Sequence, residues 1–213
     1  MCYNEYVSIA TFLTTTIINY ILLKSFKGNK QIISIVIIWQ WVILMQFFEA
    51  IIWISKYKKN SLNTIGTYGA YIANILQPLI VYLSIILLTN QRKEYKLIFG
   101  VLVFSYIVYC IQRYISKIKK NIKYLTNKDN CSNIYYVWWK DMNYGSIYVI
   151  LLVLLFIFAQ PHSIYIPQLL YILIILLISI HTNRSCSNAS IWCLMATAAP
   201  LFTLIYHKYI HNI

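Results

Sequence analysis

The sequence predicts an all-α integral membrane bundle of seven transmembrane helices, forming a single domain over residues 1–213. Three observations carry that expectation. Hydrophobic residues make up 60% of the chain and charged residues only 11%, whereas a soluble domain carries about 25% charged residues. Mean hydropathy is +0.64. Apolar runs of about 17 residues or more, the length a bilayer core demands, recur along the whole chain.

The first run, 7–23, has no basic residue ahead of it and no small-residue cleavage site behind it, so it reads as a span rather than a removable signal. The second, 31–55, holds Trp39, Gln46, Glu49 and Trp53. The third, 66–89, holds Asn74, Gln77 and Pro78, and the fourth, 97–116, ends in Gln112 and Arg113. A basic, asparagine-rich connection follows to Asn143, and its Tyr135-Tyr136-Val137-Trp138-Trp139 stretch has the composition of an interfacial aromatic belt. The fifth and sixth spans are 144–160 and 164–181, the latter ending at His181. The seventh, 188–207, is interrupted by Thr197 and Pro200. Because the fifth is short and the seventh is weakened, six spans plus a re-entrant segment is the alternative.

With seven spans the N-terminus and the even-numbered connections share one side, A; the odd-numbered connections and the C-terminus share side B. The formal charge of +13 lies between the spans, as topology-setting flanking charge does, and it also favours anionic lipid headgroups. The basic residues do not gather on a polar domain, which argues against a nucleic-acid partner. Of the 18 Lys and Arg, eleven fall on side A and seven on side B, so the total assigns the cytoplasm to side A. The first span alone assigns it to side B, through Lys24, Lys27 and Lys30. Cys131 and Cys186 share side A, where an oxidising compartment would let them pair.

Glu49 is the only acid inside an apolar span. At about 100° per residue, Trp39, Gln46, Glu49 and Trp53 fall within an arc of roughly 80°. An ionisable group at membrane depth is costly and faces a bundle interior or a wet cavity. From the helical rise, Glu49 lies roughly 9 Å from the side-A end of its span, Gln46 roughly 13 Å, Asn74 roughly 12 Å and Gln77 roughly 16 Å. Thr67, Tyr71, Asn74, Gln77 and Pro78 share one face of the third span; Ser190, Cys193, Thr197 and Pro200 share one of the seventh. The expected cavity is therefore lined by Gln46, Glu49, Trp53, Asn74, Gln77, Cys193 and Thr197 in the side-A half. Arg113 and His181 are the candidate charge partners of Glu49; the other option is a protonated carboxyl bonded to Gln77. Asn and Gln also serve as plain interhelical glue.

Several chemistries lack their residues. No Lys lies in the seventh span to hold a retinal Schiff base, and one membrane acid cannot form a paired-aspartate protease. There is no H-E-x-x-H and no Gly-rich phosphate loop. His207 and His211 sit four apart, but on side B with His162, away from Glu49. No metal and no cofactor is expected.

The opening Met1-Cys2-Tyr3-Asn4-Glu5-Tyr6-Val7-Ser8, with Thr11-Phe12, resembles a family of uncharacterised multi-span proteins encoded by giant DNA viruses and some algae. Met45-Gln46, Glu49 and Trp53, then Gln77-Pro78, then Ser190-Ile191-Trp192-Cys193 are similar to its other motifs in the same order. Tyr3 stands where the family has Trp, and Leu194 where it has a second aromatic. The resemblance implies architecture, candidate residues and a host or viral membrane, but no activity.

The functional expectation is binding or translocation of a small solute, ion or proton through a polar cavity around Glu49. The alternatives are a membrane-embedded lipid-modifying enzyme, with Glu49 as acid or base and Cys193 or a water as nucleophile, and a structural membrane scaffold. The expected partners are the lipid bilayer and a small-molecule or ion ligand.

Overall fold

The first helix boundary that departs from hydropathy is the start of the third span, and it resets the geometry of the site. In a computed structural model, which describes residues 5–118, 142–182 and 198–210, the chain is helical with no strand among those residues. The helices are α1 (Glu5–Ser25), α2 (Lys30–Ile54), α3 (Ser61–Ile75), α4 (Gln77–Leu88), α5 (Lys93–Arg113), α6 (Met142–Phe158), α7 (His162–Thr182) and α8 (Ala199–Ile205). One π-turn, Tyr114–Ile118, extends α5 and another, Tyr206–Ile210, extends α8. The expected third span begins at residue 66, but α3 begins at Ser61. The Asn60 side chain caps the helix by accepting from the Asn63 N–H at 2.9 Å, so a full turn forms ahead of the apolar run.

The same span is also broken. α3 and α4 meet at Leu76 with a 49° bend. Pro78 has no N–H to return to the Asn74 carbonyl and its ring crowds that carbonyl, which is the usual cause of a sharp kink. The pair nevertheless runs antiparallel to α2 from end to end. Gly66 and Gly69 abut Ile52 and Phe48 near one end, the Trp41 indole N–H donates to the Ala73 carbonyl at 2.9 Å in the middle, and Ile86–Thr89 face Asn29–Gln31 at the other end. The pair thus packs along α2 on both sides of the break.

Among the described residues three helices are individually long and apolar enough to cross a membrane, Glu5–Ser25, Lys30–Ile54 and Lys93–Ser116, and the count is four if the bent pair is one span. Residues 145–158 and 162–175 are shorter apolar helices. Of the expected seventh span only Ala198 onward is described, and Cys131, Cys186, Ser190, Cys193 and Thr197 lie outside the described residues.

α2 is the axis of the fold. Of its apolar window 61% is buried, against 22% for α1 and for α5. It packs on α1, α3, α4 and α8. Against α3 the approach is close because Gly66 and Gly69 carry no side chain. A Cβ at Gly66 would stand 2.7 Å from Ile52 Cγ1 and 3.0 Å from the Phe48 carbonyl, and one at Gly69 would stand 2.2 Å from the Phe48 ring. Small residues at such a crossing let two helices pack where lipid supplies no hydrophobic drive.

Candidate functional site

Glu49 is fully buried, as are its neighbours Gln46 on the preceding turn and Ile52. Two contacts fix which way it faces. The Thr11 hydroxyl of α1 lies 3.3 Å from Gln46 Oε1, and Phe48 and Ile52 meet the α3 glycines. At about 100° per residue, Glu49 points between those two directions, into the bundle.

Its level follows from the same contacts. On the α1 side, with Thr11 beside Gln46, one helical turn toward side A brings Ser8 level with Glu49. On the α3 side, with Phe48 and Ile52 against Gly66 and Gly69, Thr67 is level with it. Ser8 and Thr67 are both fully buried, and the Thr67 hydroxyl donates to Asn63 Oδ1 at 2.9 Å. Trp53 lies one turn nearer the side-A end, its ring 5.1 Å from that of Tyr57. The indole N–H of Trp53 and the Ser8 hydroxyl have no hydrogen-bond partner among the described residues.

This register corrects the depths expected from the sequence. Asn74 and Gln77, expected level with Glu49 and Gln46, lie roughly 10 to 15 Å further along the bundle than Thr67. The reason is the earlier start of α3, which pushes every later residue toward side B. Both are buried, but at the α3–α4 break, where the Tyr148 hydroxyl of α6 donates to Gln77 Oε1. Gln77 Nε2 has no partner among the described residues. The expected set thus divides into a Glu49 group with Gln46 and Trp53, and a mid-bundle group at the break.

Arg113 is half-buried at the end of α5. Its guanidinium lies 5.7 Å from the Tyr109 ring centre and 3.3 Å from that hydroxyl. The side chain of His181 and both Cys193 and Thr197 lie outside the described residues. His207 is buried, edge-on to Phe26 and Tyr206. Among the described residues no three His, Cys, Asp or Glu side chains converge.

The polar groups extend beyond the side-A half. Asn19 Nδ2 donates to Gln40 Oε1 at 2.9 Å, and Gln40 Nε2 donates to Thr16 Oγ1 at 3.1 Å, joining α1 to α2. The Tyr165 hydroxyl donates to Ser34 Oγ at 3.1 Å. Gln168 of α7, outside the set expected from the sequence, is fully buried and accepts at Oε1 from the Trp39 indole at 3.0 Å and from the Thr203 hydroxyl at 3.3 Å. The indole can only donate, so it fixes the amide with its oxygen toward Trp39. One signal in the sequence marks α1: Ser8, Thr11, Thr15 and Asn19 recur every three or four residues in an otherwise apolar run.

No protein-family model matches the chain, and neither a curated protein nor a solved structure matches it.

Proposed function

We propose that the protein is a multi-pass membrane protein that binds or moves a small solute, ion or proton at a site centred on Glu49. The observation that carries this reading is a fully buried carboxyl on the central helix, level with Ser8 and Thr67 and one turn from Gln46 and Trp53. A carboxyl is an expensive way to make one helix contact, since Asn or Gln would do so at lower burial cost. The free indole N–H of Trp53 and hydroxyl of Ser8 among the described residues offer a donor and a donor–acceptor to an occupant at that level. The bundle of seven spans, membership of the giant-virus and algal family, and a host or viral membrane as its location belong to the same proposal.

The second reading, a scaffold, rests on the Asn19–Gln40–Thr16 and Trp39–Gln168–Thr203 chains, which are interhelical glue of the ordinary kind. Flux separates the two. Purified protein in sealed vesicles, with a pH dye inside and then a panel of alkali cations and small solutes outside, is expected to pass one of them above protein-free vesicles. Thr67→Val should reduce that flux. A protein that passes and binds none of them is a scaffold.

A further inference from the structure

At the opposite end of the bundle from Glu49, three turns converge. The α1–α2, α4–α5 and α6–α7 connections enclose a recess of 720 Å³ lined by Asn29–Gln31, Ile86–Asn90, Lys96 and Gln160–His162. That volume is in the range of small-molecule sites, about 300–1,000 Å³. The recess is built rather than incidental. The buried Gln91 side chain clamps the α4–α5 turn to the α6–α7 turn from both sides: its Oε1 accepts the Gln160 N–H at 3.0 Å, while its Nε2 donates to the Gln160 carbonyl and to Thr89 Oγ1.

Among the described residues, Lys30, Lys96 and His162 line the recess and no carboxylate does. Around the same end stand Lys24, Lys27, Arg92 and Lys93, with Glu94 as the one acid on these turns. Two helices start at the recess, α2 at Lys30 and α7 at His162, and Lys96 stands in the first turn of α5. The last turn of α4, Ile86–Leu88, lines it too and brings the opposite end of a helix dipole, so the lysines carry the positive charge of the site. The amides of Gln31, Asn90 and Gln160 add neutral polar groups around the rim.

We infer that this recess binds a phosphate-bearing anion, with Lys30 and Lys96 supplying the charge and the amides of Gln31, Asn90 and Gln160 the neutral hydrogen-bonding groups. The position suits the headgroup of an anionic phospholipid if the bundle spans a bilayer; a free phosphate offers the same chemistry. The inference does not depend on Glu49 and stands or falls separately from the reading given to it.

The test uses the full chain in a neutral detergent, with thermal unfolding as the readout. The probes are a short-chain phosphatidylglycerol, the matching phosphatidylcholine and inorganic phosphate. Two double variants are compared, Lys30→Gln with Lys96→Gln, which line the recess, and Lys24→Gln with Lys27→Gln, which do not. All four are exposed, so the variants should fold. Phosphatidylglycerol or inorganic phosphate should stabilise the parent, and phosphatidylcholine should not. Loss of Lys30 and Lys96 should weaken the apparent affinity by about tenfold per lysine, while the Lys24 and Lys27 variant keeps it. Stabilisation by phosphatidylglycerol alone assigns the lipid headgroup, and equal stabilisation by phosphate assigns the free anion. No stabilisation by either, or equal loss in both double variants, overturns the inference and leaves only diffuse surface charge.

Discussion

Among the glycines of the described residues Gly69 has the least room, and its replacement has a sign that depends on one neighbour. A Cβ added at Gly69 would lie 2.2 Å from two carbons of the Phe48 ring and 2.7 Å from a third. Ordinary carbon contacts need about 3.5–4.0 Å, so the ring must leave its rotamer or the helices must separate. Overpacking of this severity costs about 3 kcal/mol. Alanine also gains about 1 kcal/mol over glycine inside a helix. Gly69→Ala should therefore destabilise by about 2 kcal/mol. All three crowded atoms belong to the Phe48 ring, so in a Phe48→Ala background the clash disappears and only the propensity gain remains. There Gly69→Ala should stabilise by about 1 kcal/mol, a coupling of about 3 kcal/mol in the cycle. Gly66→Ala behaves differently. Two of its near atoms are backbone, the Phe48 carbonyl at 3.0 Å and the Ile52 nitrogen at 3.2 Å, so Ile52→Ala should relieve it only in part. Unfolding of the detergent-solubilised protein by titrated denaturing detergent, measured on the four members of each cycle, gives the values. A Gly69→Ala cost that is the same with and without the Phe48 ring would refute the close α2–α3 crossing and the register of Glu49 derived from it.

Trp39→Phe removes the indole donor to Gln168 while keeping an aromatic ring; it should cost about 1 kcal/mol in the same unfolding assay. Gln168→Leu in the Trp39→Phe background should then add less than it does alone, because the pair acts as a unit. Tags at the two termini, tested for protease access in sealed vesicles, should lie on opposite sides if the bundle has seven spans. Both tags on one side would contradict that count.

Much of this was legible in the apolar runs. α1, α2, α6 and α7 begin and end within about two residues of the expected spans, within the usual uncertainty of helix ends. The importance of α2 was legible in Glu49, because a single acid in an apolar run demands an interior. The start of α3 was not legible from hydropathy. Asn60-Ser61-Leu62-Asn63 reads as a loop, yet Asn60 caps a helix there, and hydropathy reports contact with lipid rather than where the backbone begins to coil. That one omission displaced Asn74 and Gln77 by more than a turn. Pro78 announced a disturbance, but not the 49° bend. The α1 stripe from Ser8 to Asn19 was hidden by averaging, because hydroxyls barely lower the mean of an apolar window. The Trp39–Gln168 bond joins residues 129 apart, and nothing in a single sequence pairs them. The glycines of α3 were visible, but their partners Phe48 and Ile52 were not.

The most direct measurement puts stability and flux on the same preparations of the parent and of Glu49→Gln. Glutamine keeps the size and hydrogen-bonding capacity of the side chain and removes its ability to ionise. If Glu49 is the centre of a binding or translocation site, unfolding should stay within about 1 kcal/mol of the parent, while flux or its pH dependence is lost. A variant that keeps both the parent's stability and its flux would contradict that account, and so would one that loses them together.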